Sequence, residues 1–230
     1  MSAPEKRIIA LLPMKANSER VRGKNFREFN GKPLFRWMLD TLLGVRAIAE
    51  IVINTDARDI LAQHAVADLP RVRIRDRRPE ICGDTVSMNL VLADDLRAVP
   101  ADIYVMTHTT NPLLSAATIA AALETFLAAH GKGEADSLFT VNRFQSRFYR
   151  KDGSAVNHDP GDLIRTQDLE PWYEENSNLY IFTAESFART GARIGAAPLM
   201  YETPRMEAFD IDDQAGWDLA ERVCKGTRAA

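Results

Sequence analysis

The sequence predicts an α/β fold, a three-layer arrangement in which a mostly parallel sheet is covered by helices on both faces. Three observations carry that expectation. Short apolar runs rich in Ile and Val recur between Arg7 and about Val141. Segments with apolar residues at helical spacing alternate with them. The loops that follow several of the runs are polar or basic. A strand buried on both faces has no polar side, so it reads as an unbroken apolar run. Strand–helix alternation is what a parallel sheet with crossover helices requires.

In chain order, Arg7–Leu12 (RIIALL) ends at Pro13 and is the first expected strand. Lys32–Leu43 places Leu34, Trp37, Met38 and Leu42 on one helical face, with Pro33 suited to a first turn. Glu50–Asp56 (EIVINTD) is the second strand, and ARDILAQHAV after it is a helix. Arg71–Arg75 is a short strand and Ser87–Val99 a helix, with Asp84 a candidate cap. Asp102–His108 (DIYVMTH) is a strand running into the polar loop TTNP. Ser115–His130 is the clearest helix, with Ser115 a good N-cap and Gly131 after its end. Asp136–Val141 and Ser177–Phe182 are further strands. Between them, at about 143–176, turn signals and aromatics (Phe144, Phe148, Tyr149, Trp172, Tyr173) replace the pattern. That stretch reads as an insertion or dimerisation segment of a single domain over 1–230.

The formal net charge of −3 argues against a nucleic-acid binder, which would carry a basic excess. Cys82 and Cys224 match no zinc spacing and read as free thiols of a reducing compartment. No run approaches the roughly 20 apolar residues of a membrane span. The opening MSAPEKR lacks the apolar core of a signal peptide. A soluble cytoplasmic protein without membrane or nucleic-acid partners is the expectation.

Two stretches carry possible chemistry. Leu11–Asn25 (LLPMKANSERVRGKN) empties a strand into a loop with Lys15, Arg20, Arg22 and Lys24. Such a loop either gathers phosphates through its charges and backbone N–H groups or is a solvated surface. It lacks the spacing of a Walker A loop. In Phe209–Asp213 (FDIDD), an extended backbone turns Asp210 and Asp212 to one side. Two carboxylates so placed suit Mg²⁺, which takes hard oxygen ligands together with substrate phosphates. An Asp-rich helix start is the other reading, and Asp213 fits it. A third stretch, Arg75–Asn89, reads equally as a capped loop or as arginines meeting a base or phosphate.

From Ile8 to Leu219 these stretches together resemble the acylneuraminate cytidylyltransferases, the CMP-sialic acid synthetase family. MKANSERVRGKN matches the family's A-R-x-x-S-K-x-x-P-x-K-N at Ser18, Lys24 and Asn25, with Lys15 in place of its phosphate-binding arginine. GKPL (Gly31–Leu34), NTD (Asn54–Asp56), RPEICGD (Arg78–Asp84), MTHTTNPL (Met106–Leu113), NSNLYI (Asn176–Ile181) and DIDD (Asp210–Asp213) follow in the family's order. His108 stands where the family has glutamine, and Glu174 where it has an arginine that helps to hold the sugar.

The resemblance implies a nucleotide-diphospho-sugar transferase-like (Rossmann-like) fold and a Mg²⁺-dependent transfer of CMP from CTP to a keto-deoxy sugar acid. It implies that Lys15, Ser18, Lys24, Asn25, Arg78 and Ser87 bind the nucleotide and that Asp210 and Asp212 hold the metal. Lys24, His108 and Asp212 would act at the reacting centre; His108, a residue type with a suitable pKa, could orient the acceptor or take its proton. Arg165, Gln167, Glu174 and Tyr180 join His108 as acceptor-side candidates. His64, His130 and His158 have no such context and read as surface residues. The 143–176 segment would reach across a homodimer. Two other readings stand beside this one: a nucleotidyltransferase with a different nucleotide or acceptor, such as a 3-deoxy-octulosonate cytidylyltransferase, and a catalytically silent nucleotide-binding relative.

Overall fold

The computed structural model describes residues 6–17 and 21–228, without the side chains of 227 and 228. The first apolar run forms β1 (Ile8–Leu11), buried at all four positions. A two-stranded ribbon, β2 (Glu28–Phe29) and β3 (Lys32–Pro33), leads into α1 (Leu34–Gly44). Then come β4 (Glu50–Thr55), α2 (Arg58–Ala62), β5 (Val72–Asp76), α3 (Met88–Ala98), β6 (Ile103–Thr107) and α4 (Ala116–Gly131). The chain continues through β7 (Ser137–Phe144), β8 (Trp172–Thr183), α5 (Ala184–Thr190), β9 (Pro198–Glu202) and α6 (Gln214–Arg228).

Seven strands pair in the order β5-β4-β1-β6-β8-β7-β9. The β4–β5, β1–β4, β1–β6 and β7–β9 ladders are parallel, and β8 runs antiparallel between β6 and β7. The expected mostly parallel sheet is therefore present, with an antiparallel insert. Side-chain alternation divides the core. Ile8 and Ala10 of β1 face α1 and α4, packing with Phe35, Met38, Leu42, Ile119, Leu123 and Phe126. Ile9 and Leu11 face α3 and α5, with Leu92, Tyr104, Tyr180, Phe182 and Phe187. A third cluster joins α6 to the ribbon: Trp217 packs edge-on to Phe29, which meets Trp37 in the same way.

Several boundaries differ from the sequence expectation. The helix expected after Asp56 stops at Ala62, and Ala65 adopts φ +49°, a left-handed turn that ends the helical ladder before a short 3₁₀ turn at Val66–Asp68. Ser87, not Asp84, caps α3: its side chain accepts from the Asn89 N–H at 3.3 Å. Ser115 caps α4 as expected, accepting from Thr118 N–H at 3.1 Å, while the helix runs on through Gly131.

The 143–176 stretch is less irregular than its composition suggests. β7 runs on to Phe144, and β8 begins at Trp172, with Phe144 opposite Trp172 and Arg143 opposite Tyr173. These pairs are solvent-exposed on both strands, so no apolar alternation marks them. In the middle of β8 the register breaks, since Phe139 faces Tyr180 but Val141 faces Glu175. Ser177, at φ +57°, sits in the resulting bulge. α5 and the edge strand β9 had no strong sequence signal. FDIDD lies in no strand, although Ile211 alone of the central triplet is buried. His64 and His130 are half-buried rather than surface residues, packed on Phe26 and Phe35 and on Phe126. His158 is half-buried against Tyr149.

Candidate active site

A cavity of about 280 Å³ opens at the carboxyl ends of the parallel strands. Pro13, Met14 and Lys15 reach it from β1, Arg77 from β5, and His108, Thr109 and Thr110 from β6. Open parallel α/β sheets bind ligands in the crevice outside the carboxyl ends of their strands, where neighbouring connections leave to opposite faces.

The basic loop is folded back over this opening. Gly23 takes φ +62°, and its carbonyl accepts from Phe26 and Arg27 N–H, both at 3.0 Å. That turn sends Lys24 inward to 8% exposure, where Nζ donates to the Ile211 carbonyl at 2.6 Å. Asn25 ties the loop's two arms: its Nδ2 donates to Lys15 O at 2.7 Å, and its Oδ1 accepts from Thr109 Oγ1 at 2.6 Å. Ala16 N–H donates to Asp56 at 2.7 Å, which gives the NTD aspartate a loop-fixing contact. Lys15 forms an ion pair with Asp84 on the cavity's far wall. Ser18 lies outside the described residues. Lys15, Lys24, Asn25 and His108 thus line one space.

Arg78 is not among the cavity's lining residues; its side chain is 57% exposed and pairs with Glu80 and Asp94. The lining arginine is its neighbour Arg77, which the sequence reading passed over. Arg77 is buried, with Nε donating to Asn54 Oδ1 at 2.8 Å and Nη2 to the carbonyls of Asn54 and Met14 at 2.9 and 3.2 Å. Asn54 in turn donates to Asp95 Oδ1 at 2.8 Å. Arg75 pairs with both Asp94 and Asp95. Burial pushes the Asp95 carboxyl up to about 6, against the opposing pull of Asn54 and Arg75. Its second oxygen, Oδ2, has no hydrogen-bond partner among the described residues. Arg77 follows directly on the last residue of β5, Asp76, and no sequence pattern separates it from Arg75 and Arg78.

Asparagines lace the Asp-rich segment into place. Ile211 N–H donates to Thr110 O at 2.9 Å. Asn111 donates to Phe209 O at 3.2 Å, and Asn178 to Glu207 O at 2.9 Å, with Asn111 also bonded to Asn178. An extended segment with no strand neighbour thereby satisfies its backbone through side chains. Ile211 is buried in the α6 cluster, and Asp210 and Asp212 flank it on the exposed side. Among the described residues no group of three or more His, Cys, Asp or Glu could hold a metal ion. Asp210 and Asp212 are not among the cavity's lining residues; a pair of carboxylates is nonetheless the donor set that Mg²⁺, commonly held by one or two carboxylates plus phosphates, would take.

On the other flank, His108 is held neutral. Burial, then the charges of Arg193 and Lys24, push its pKa down to about 3. Tyr180, on β8 opposite Met106, donates its hydroxyl to Glu175 and receives Arg193 Nη2 at 3.0 Å. Burial and the Glu175 bond push Tyr180 up to about 12. Glu174 points elsewhere, accepting from Asn142 at 2.9 Å. Arg165 pairs with Asp168 at 2.7 Å, and the Gln167 carbonyl accepts from Gln145 at 2.9 Å; neither residue lines the cavity.

Comparison with known proteins agrees with this geometry. The chain is 27% identical over 230 residues to CMP-N,N'-diacetyllegionaminic acid synthase of Legionella pneumophila, covering 94% of this chain and 96% of that one. It is 26% identical to N-acylneuraminate cytidylyltransferase of Oncorhynchus mykiss over 96% of its own length, but spans only 51% of that protein. Among solved structures it resembles CMP:2-keto-3-deoxy-manno-octonic acid synthetase complexed with CTP, with a TM-score of 0.66 at 15% identity, covering 96% and 99% of the two chains. That likeness supports the expected nucleotide-diphospho-sugar transferase-like fold. The cytidylyltransferase family model matches residues 9–225, nearly the whole of the described chain, and the protein therefore belongs to the cytidylyltransferases, enzymes of nucleotidyl transfer.

Proposed function

We propose that the enzyme transfers CMP from CTP to a keto-deoxy sugar acid of the nonulosonate type and releases pyrophosphate. The observation that carries this reading is the convergence of Lys15, Lys24 and Arg77 on one cavity, whose rim is tied through Lys24 to the Asp210–Asp212 segment. Three cations at strand ends suit a triphosphate, and a paired-carboxylate rim suits the ion that accompanies one. The Legionella and Oncorhynchus relatives carry names that refer to acids of this class, N,N'-diacetyllegionaminic acid and N-acylneuraminate.

In the reaction a hydroxyl oxygen of the acceptor attacks the α-phosphorus of CTP in line. The bond to the bridging oxygen breaks, pyrophosphate leaves with that electron pair, and the hydroxyl proton is released. Little covalent chemistry falls to the protein, so positioning and charge dominate. Lys15 and Lys24 would hold phosphate oxygens, Lys15 exchanging its Asp84 partner for them. Arg77, fixed by Asn54, sets the cavity floor. Asp210 and Asp212 would hold Mg²⁺, which when bound supplies charge neutralisation at phosphate oxygens. His108, its proton affinity lowered by burial and by the charges of Arg193 and Lys24, is a poor base on its own. Anionic ligands beside it raise its proton affinity, which suits it to orient the acceptor hydroxyl and take its proton once both substrates are bound.

A homodimer is part of the proposal. Phe144, Tyr149, Leu163, Ile164, Trp172 and Tyr173 are all exposed in the 143–176 excursion, more apolar surface than a monomer ordinarily leaves in one place. A monomer by light scattering at micromolar concentration would remove this part. A cytoplasmic setting suits CTP as substrate, and among the described residues Cys82 and Cys224 form no disulfide. Among the described residues no helix is long and apolar enough to cross a membrane.

The deciding experiment follows pyrophosphate release with each nucleoside triphosphate against N-acetylneuraminic, N,N'-diacetyllegionaminic, pseudaminic and 2-keto-3-deoxy-manno-octonic acids. Turnover with CTP and one of the first three is expected. Preference for another nucleotide, or for the octonic acid, would replace the reading with the corresponding alternative, and silence on all four would end it.

A further inference from the structure

The acceptor of the proposed reaction brings its own negative charge to a cavity that already takes a triphosphate. Two anions at close range repel, increasingly so as water is excluded. A second cation, set apart from Lys15 and Lys24, is needed to receive the acceptor. The arginine that would serve in the resembling enzymes is Glu174 here, and the structure turns that residue toward Asn142.

Arg193 occupies a suitable place. It stands in the loop between α5 and β9, and that loop is fixed by its backbone. The largely buried Asp136 carboxylate accepts from Ala196 and Ala197 N–H at 3.0 and 3.1 Å and from Arg189 at 2.6 Å. Gly195 N–H donates to Ser137 Oγ at 2.8 Å, and a Cβ at Gly195 would collide with Asp136 and Ser186. Arg193 N–H itself reaches Asn89 on α3 at 3.4 Å. A solvated arginine needs no such foundation.

The side chain is as constrained as the loop. The guanidinium lies over the Tyr180 ring, 3.9 Å from its centre, and Nη2 bonds the Tyr180 hydroxyl. Glu175 is the nearest carboxylate, 3.6 Å from Nη2, a loose contact that is 41% exposed on the Glu175 side. Nε and Nη1 meet no acceptor among the described residues. A guanidinium presents its donors as a planar fork matched to a carboxylate, and part of that fork is open here. Arg193 does not itself line the cavity, but its backbone partner Asn89 follows the lining residue Met88, and after burial its charge is the next cause of the lowered pKa of His108, another lining residue.

We propose that Arg193 is the anchor for the acceptor's carboxylate and that Glu175 holds the anchor's place until the acceptor arrives. This rests on the sugar-acid reading above. On entry the acceptor's carboxylate takes the fork, and Glu175 turns to solvent or to a hydroxyl or amine of the sugar. His108 then lies between the anion on Arg193 and the phosphates on Lys24. That arrangement limits the substrate class: a 2-keto acid is accepted, whereas the same sugar with its carboxylate masked is rejected, because the neutral group cannot satisfy the half-buried guanidinium.

The test is a two-by-two comparison using the fastest acid from the panel and its carboxamide, on the unaltered enzyme and Arg193→Gln. The unaltered enzyme should favour the acid by about 100-fold in kcat/KM, and Arg193→Gln should shrink that ratio by about 30-fold or more, chiefly through KM for the acid. Arg193→Lys should restore part of it, since a point charge lacks the planar fork. CTP affinity by calorimetry should stay within about twofold in both variants, as expected of a residue that touches only the acceptor. If Arg193 merely braces Tyr180, acid and amide will fall together and the ratio will stand, which overturns the proposal while leaving the sugar-acid reading intact. Failure of the unaltered enzyme to turn over any sugar acid would overturn both.

Discussion

Asn54, Arg77 and Asp95, on the parallel side of the sheet, are buried and bonded to one another. Asn142, Arg143, Glu174 and Gln145, on the antiparallel side, are also bonded to one another in pairs, but at or near the surface. The number of polar contacts is similar and their meaning is not. A buried donor that loses its partner finds no water in its place, so the group keeps the geometry of its neighbours. A surface donor exchanges its partner for solvent at little cost. The first region can hold a fixed floor for a charged ligand, and the second can vary its residues while the fold persists.

That contrast is sharpest at the seam between the regions, where the Asp210–Asp212 segment is laced to Thr110 on one side and through Asn178 to β8 on the other. We predict the largest loss here. Asp212→Asn should lower kcat/KM by on the order of 10²–10³-fold and leave the urea midpoint nearly unchanged, because the side chain is exposed. Full activity at low Mg²⁺ would remove Asp212 from the metal site.

Next comes the buried floor. The Asp95 carboxyl, raised to about 6, lies above the roughly 3.9 of an unfolded aspartate. The folded state therefore binds this proton more tightly. The stabilisation is fully present below about pH 4 and is lost as pH rises to about 6. Across that window the unaltered protein should lose about 3 kcal/mol relative to Asp95→Asn, which does not titrate. Urea melts of both proteins at several pH values measure it, and parallel curves would show that Asp95 is ionised throughout.

On the loop, Lys24→Ala should weaken CTP by about 1.5–3 kcal/mol in calorimetry. Lys15→Ala should cost less than about 1 kcal/mol, because Lys15 is 36% exposed and already shares its charge with Asp84. Equal losses would mean that burial does not rank the two lysines. The smallest effect belongs to the antiparallel side: Glu174→Gln should change stability by less than about 0.5 kcal/mol. A larger drop would make the Asn142 pair structural and weaken the comparison.

The same contrast explains what the sequence made legible. β1, β4 and β6 are buried on both faces, so RIIALL, EIVINTD and DIYVMTH announced themselves as apolar runs. The early part of β8 and all of β9 alternate or face solvent, so WYEEN and PLMYE carried no such mark. Of the site, Lys15 and Lys24 could be read from the basic loop that follows β1, and Asn25 and His108 from the family resemblance. Arg77 was hidden by its neighbour Arg78, since nothing in a run of arginines says which one turns inward. Arg193 was hidden for another reason. Its importance comes from Tyr180, Asp136 and Asn89, all distant in sequence, and only the fold brings them to it.

The bond from Lys24 to the Ile211 carbonyl bridges 187 positions, and it is not alone. Arg27 reaches Gln214 at 2.8 Å and lies over the Trp217 ring, and Asn30 reaches Glu221 O at 3.1 Å. A ribosome makes the basic loop early and its partners late. Until α6 has been made, Phe29, Leu34 and Trp37 have nothing of it to cover them, and Lys24 has no Ile211 carbonyl to turn toward. Binding of CTP should therefore await Ile211 and α6. Arrested chains of increasing length, assayed for CTP binding, should remain silent and then switch on in a single step once α6 has emerged.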